Sequence, residues 1–143
     1  MEWMLMPLKR YAEFEGRSRR LEFWMFRLFF YIVMMVLLVI MLAGIPWGEF
    51  ENEPGAPTPE MGVLFWLGLI GMILWYLACI VPSVAVCMRR FHDQDKSGWM
   101  WLIYFVPYVG WMVVVVFMFL EGTRGPNQYG EDPKDPGAQN VFA

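Results

Sequence analysis

The chain has 143 residues, of which 58% are hydrophobic and 17% charged, against roughly 45–50% and 25% in soluble domains. The excess is concentrated, because Leu28 to Gly48, Met61 to Met88 and Trp99 to Leu120 contain no Asp, Glu, Lys or Arg. About 20 apolar residues in a helix cross a ~30 Å hydrocarbon layer, so these runs exclude an ordinary soluble domain, and the net charge of −3 matters less than where each sign falls.

Residues 1–143 are read as a single membrane domain that opens with a basic, aromatic lead-in, 1–22. Within it Trp3, Leu5, Leu8, Tyr11 and Phe14 can line one side of a short interfacial helix lying on the membrane, interrupted at Pro7 and ended at Gly16. The first span is 23–45. It is longer than the core of an export signal and no small-x-small cleavage pattern follows it, so it is expected to stay in place. Its one charge, Arg27, lies about a turn inside and can reach back to the headgroups. Four glutamates and three prolines then make 49–60, EFENEPGAPTPE, an acidic loop.

Span two occupies 61–88. A continuous helix of that length is ~42 Å long, so it is expected to tilt, protrude or bend at Pro82. Gly71, Ala78 and Ala85 recur every seven residues and predict a packing seam. Cys79 and Cys87 lie on the same helix, roughly 12 Å apart, and are expected to be free thiols. A polar linker, 89–98, leads to the third apolar segment, 99–120. Pro107 and Gly110 interrupt its middle. It either crosses fully or enters and returns as a re-entrant hairpin with arms of about ten residues, whose turn must be buried in protein. The tail, 121–143, is polar and rich in Gly and Pro. Trp24, Trp47, Trp99 and Trp101 sit at run ends as interfacial anchors. The expected fold is all-α: a polytopic membrane protein with three transmembrane helices, the third in one of those two forms, and a short N-terminal interfacial helix.

Orientation follows from the basic residues. Lys9, Arg10, Arg17, Arg19, Arg20 and Arg27 precede or enter span one, and Arg89, Arg90 and Lys96 follow span two, which puts nine of the eleven on one side. Lys and Arg favour the cytoplasmic side, so the amino terminus is expected inside. Three full crossings then place the acidic loop and the tail outside; the hairpin form brings the tail back to the basic side.

Three charged stretches carry the specificity: FEGRSRRLEFW (14–24), RRFHDQDKSGW (89–99) and GTRGPNQYGEDP (122–133). Together they resemble the domain of unknown function 805 family, small bacterial inner-membrane proteins, over nearly the whole chain, with Phe91 standing where an aliphatic residue is expected. The resemblance implies a multi-pass protein of the cell inner membrane. It supplies no substrate and no catalytic residue.

The residues themselves suggest a binding face. Arg17, Arg19, Arg20, Arg89 and Arg90, with His92 and Asp93 beside them, can hold an anionic lipid headgroup or a protein partner, since guanidinium matches phosphate bidentately. The bland alternative is that these charges only enforce topology, with Asp93 pairing to Arg89 or Arg90. Glu22 can pair with Arg19 or reach the second basic cluster, and Ser97 can cap the third segment beside a turn at Gly98. Trp24, Trp99, Asn127, Gly130, Asp132 and Pro133 complete the motifs as structural candidates. A single histidine argues against a zinc site, and DQDKSG lacks the closing glutamate of a calcium loop, which falls at Tyr104. No metal, cofactor or nucleic-acid partner is expected. The competing functions are a subunit of an oligomeric transporter or channel, with broken helices at Pro82, Pro107 and Gly110, and a membrane enzyme using His92, Asp93, Asn127 and Asp132.

Overall fold

In the computed structural model, which describes residues 2–49 and 59–134, regular structure is helical apart from one isolated bridge between Asn127 and Gly130. The α-helices are α1 (Glu2–Lys9), α2 (Arg20–Ala43), α3 (Val63–His92) and α4 (Gly110–Phe119), with 3-10 helices at Trp47–Glu49 and Gly98–Phe105. Most of the predicted acidic loop, 50–58, and the tail beyond 134 lie outside the described residues.

The two long helices follow from composition. The sequence of α2 contains neither Gly nor Pro, and it stops before the Gly44–Ile45–Pro46 stretch, where proline disfavours helix in the residue ahead of it. At 24 and 30 residues, α2 and α3 are ~36 and ~45 Å long, enough to span the hydrocarbon layer. Only 11% of the most apolar window of each is buried within the protein. A core helix of a soluble protein would be mostly covered. These two helices therefore have the length and the bare apolar surface of transmembrane helices. Pro82 sits inside α3, fully buried, and the helix runs through it to His92.

The chain divides into two units, Phe29–Cys79 and Met1–Leu28 with Ile80–Ala143. In the first, α2 and α3 approach at glycines. A Cβ on Gly68 would lie 2.5 Å from the backbone nitrogen of Met41, and one on Gly44 would overlap the backbone of Phe65. Gly62 N donates to Gly44 O at 2.9 Å. Trp75 packs edge-on against Phe29, and its Nε1 donates to Phe30 O at 3.4 Å. The predicted seven-residue seam is only partly what packs. Gly71 faces Leu37, but Ala78 is exposed, and the close approach belongs to Gly68 and Gly44. Ala85, the third member of the predicted seam, is fully buried.

In the other unit α1 runs through Pro7, which is buried, while Leu5, Tyr11 and Phe14 remain exposed. The third apolar segment takes the broken form. An eight-residue 3-10 helix, Gly98–Phe105, packs against the ten-residue α4, and each is ~15 Å long, half a membrane thickness. The reversal lies at Pro107 and Tyr108, where Tyr108 takes a φ of 68°, a left-handed conformation rare outside glycine. Gly110 follows because a side chain there would overlap Ile103 O. Both ends of the segment return to the end of α3: Gly98 lies against His92 and Met88, and Gln94 Nε2 donates to Phe117 O at 2.5 Å. Cys79, in the first unit, and Cys87 are both buried, and no disulfide joins them.

Candidate functional site

The end of α3 gathers all three charged stretches. Arg89 and Arg90 occupy its last turn, and Asp93 follows one residue after the helix ends. The Arg89 guanidinium reaches Glu22 on the first turn of α2, Nη2 to Oε1 at 2.9 Å, and Nη1 donates to Glu13 O at 3.1 Å. Both side chains are essentially buried, at 0% and 3% exposure. Of the two partners considered for Glu22, the second basic cluster is the one it meets.

Asp93 is the hub. One carboxylate oxygen accepts from Arg17 Nε at 3.0 Å and the other from Arg90 Nη1. Its main-chain carbonyl accepts from the backbone nitrogen of Thr123 at 2.8 Å and from the Thr123 hydroxyl at 3.2 Å. Arg17 also donates to Gly125 O and Thr123 O, each at 2.6 Å. One carboxylate thus ties the lead-in to α3, and its own backbone ties both to the tail. Gly122 is required beside it, since a Cβ there would overlap the Asp93 carboxylate.

The tail is shaped to reach this hub. Asn127 Nδ2 donates to His92 O at 2.9 Å and to the Thr123 hydroxyl at 3.0 Å, and its Oδ1 accepts from Tyr129 N at 2.9 Å. Gly130 closes the turn with a φ of 130° that side chains rarely adopt. Asp132 accepts from Gly125 N at 3.0 Å and Lys134 N at 2.9 Å. Those two N–H groups, Lys134's foremost, hold its carboxyl below the usual carboxylate range. Tyr129 stacks on the His92 ring at 3.9 Å, and His92 Nδ1 lies 3.2 Å from Gly16 O.

The same cations close α4. A helix ends with carbonyls that have no partner within it. Here Arg90 Nη2 donates to Leu120 O, and Arg20 Nη1 to Phe119 O at 3.1 Å. Positive charge at this terminus also opposes the helix dipole.

Arg17, Arg89 and Arg90 therefore do not stand open to a headgroup. They are buried at 6%, 0% and 0% exposure and face internal carboxylates and carbonyls, which corrects their assignment as a headgroup-binding surface. Asp93 faces guanidinium groups rather than the imidazole of His92, so the adjacent pair is not arranged as an acid/base dyad. Ser97 precedes the 3-10 helix as its N-cap but makes no side-chain capping bond, which corrects the expected cap. Trp99 is 68% exposed and stands outside the cluster. Trp24 packs on Phe119 with ring centroids 4.5 Å apart, while Arg19 donates to Pro133 O and lies over the Trp3 ring. Gly122, Thr123, Gly125, Gln94 and Tyr129 belong to the site although sequence reasoning did not single them out. Four of them lie in the third stretch, GTRGPNQYG, and Gln94 in the second, RRFHDQDKSGW, so their signal was the small and polar residues of those stretches.

A buried ion pair contributes little net stability, but removal of one partner strands the other charge. Arg89→Met and Glu22→Leu are each expected to lower thermal stability in detergent, and the double variant to recover much of the loss. A coupling of about 2 kcal/mol between the two sites is expected from groups in direct contact. Strictly additive losses would show that the pair does not act as a unit.

A helical protein with two membrane-length helices, whose charged segments pair with one another, falls in the class of small integral membrane proteins. The chain belongs to the family described as protein of unknown function (DUF805), whose model matches residues 11–131. It is 40% identical to inner membrane protein YhaI of Escherichia coli over 134 residues, covering 94% of this chain and 97% of that protein. It is 38% identical to inner membrane protein YhaH of the same organism over 135 residues, covering 94% and 98%. No solved structure matches the chain.

Proposed function

We propose that the protein is a non-enzymatic scaffold of the inner membrane, anchored by α2 and α3 with its amino terminus in the cytoplasm, that presents a cationic face to anionic lipid headgroups. The relatives named as inner membrane proteins support the location, and the one-sided distribution of Lys and Arg supports the orientation. The observation that carries the scaffold role is the double use of Asp93 by Arg17 and Arg90. The versatile side chains of the three charged stretches are occupied in holding the segments together, which leaves the chemistry of the face to its outer rim.

In this arrangement 98–119 dips to about half the membrane depth and returns, and the tail lies on the cytoplasmic side. Its helix-ending carbonyls, which hydrocarbon cannot satisfy, are held by Arg20, Arg90 and Gln94. Reporters fused separately to the two termini test it. Both are expected to report the cytoplasm. A carboxyl terminus outside the cell would separate the tail from Asp93 and overturn the proposal.

A further inference from the structure

We propose that the groove between the start of α2 and the end of α4 seats one anionic phospholipid, with its phosphate on Arg19, Arg20 and Lys134 and an acyl chain along Leu21, Trp24 and Phe119. This deepens the lipid-binding face proposed above and rests on it. The groove measures about 590 Å³ and is lined by those six residues. Its lining combines cationic and apolar side chains, as the two parts of a phospholipid require.

The three cations differ from those of the buried cluster. Arg20 pairs with Glu121 at 2.6 Å, but the pair is open to solvent, at 39% and 59% exposure, and an exposed ion pair is easily exchanged. Arg19 spends Nε and Nη2 on Pro133 O, which leaves its other Nη group for a ligand. Guanidinium carries five donors, so neither arginine is exhausted. Three cations stand against two carboxylates, Glu121 beside Arg20 and Asp132 beside Lys134, which leaves the groove net positive and complementary to a phosphodiester.

The apolar part lies where a chain would need it. Arg20 opens α2, so Leu21 and Trp24 are within the first turn and a half of a helix that continues into the hydrocarbon. Leu21 is 49% exposed and Phe119, beside Trp24, is 60% exposed. Trp24 lies flat enough against Phe119, at 33° between planes, to make a continuous wall. An acidic peptide would satisfy the cations and leave this wall in contact with water or lipid, so phospholipid is the better match.

The test uses the full chain in nanodiscs of phosphatidylethanolamine with a minority of phosphatidylglycerol, and reads by native mass spectrometry which lipid is retained. One retained phosphatidylglycerol is expected, with its preference over phosphatidylethanolamine falling roughly ten-fold or more when Arg19, Arg20 and Lys134 are all changed to Gln, since each juxtamembrane cation adds to anionic-lipid attraction. Lys134→Glu, which leaves the arginines in place, is expected to cut the preference several-fold in a protein that still folds. Lys9→Gln with Arg124→Gln, at exposed cations away from the groove, is expected to change nothing. Equal losses in the groove and control variants would overturn the seat and leave a diffuse cationic face. No preference in the unaltered protein would overturn the seat and the lipid-binding face together. Displacement of the lipid by a large excess of inorganic phosphate would show that the apolar wall contributes nothing, and would also overturn the seat.

Discussion

Asp93→Asn is expected to lower the melting temperature of the detergent-solubilised protein by roughly 10 °C, the equivalent of ~3–5 kcal/mol for a partner removed from a buried ion pair. Two arginines depend on this one carboxylate. Asparagine keeps the shape, but one of its two terminal atoms becomes a donor and turns toward a guanidinium that can only donate. The charge lost is also the one that offsets Arg17 and Arg90, both buried. Gly122→Ala is expected to act through the same group, because the added methyl displaces the Asp93 carboxylate. Asp95→Asn is the matched control. Asp95 is exposed and left-handed at φ 56°, a conformation asparagine tolerates, so a change within about 0.5 kcal/mol is expected. Equal stability of Asp93→Asn and Asp95→Asn, measured by thermal unfolding in the same detergent, would remove Asp93 from the centre of the cluster.

Replacing Gly68 by Val is expected to be the most damaging change among the exposed apolar helices, with a loss of about 1–3 kcal/mol from overpacking. Two effects oppose each other at this position. A glycine within a helix costs about 1 kcal/mol relative to alanine, so substitution by a better helix former gains something. Against that gain, the new Cβ meets the backbone nitrogen of Met41 at 2.5 Å and its Cα at 2.7 Å. Backbone cannot rotate away as a side-chain tip can, so α2 and α3 must part locally and the contact loses. Gly71→Ala shows the reverse balance, since its neighbour is the flexible end of Leu37 at 2.9 Å, and it is expected to be near neutral. Gly48→Ala, with nothing within 4 Å, is expected to be silent. Resistance to denaturation in mixed detergent micelles reads all three. A Gly68→Val protein as robust as the Gly48→Ala control would refute the close approach.

Some of this was written in the sequence and some was not. The two long helices were legible because a membrane span is a local property: enough apolar residues in succession, few charges and no early breaker suffice. The broken third segment was legible only as a choice, since Pro107 and Gly110 mark an interruption but do not say whether the chain goes on or turns back. The left-handed Tyr108 and the return of Phe117 and Leu120 to Gln94 and Arg90 decide it, and they depend on residues far from the interruption.

The cluster divides in the same way. Charge segregation alone placed the arginines of the first and second stretches at one end, because like position along a span follows from counting. Which carboxylate each arginine takes was beyond counting. Glu22 and Arg89 are 67 residues apart, and Arg17 and Asp93 are 76 apart, so their meeting required the helices to be packed and the tail folded back. Burial then reversed the meaning of the residues: Arg17, Arg89 and Arg90, which suggest a ligand site when read along the chain, became internal struts, while Arg19, Arg20 and Lys134 stay partly or fully exposed at the edge. Hydrophobic length is set by neighbours in sequence and so was determined by the sequence alone. Pairing and exposure are set by neighbours in space, and only the tertiary structure decided them.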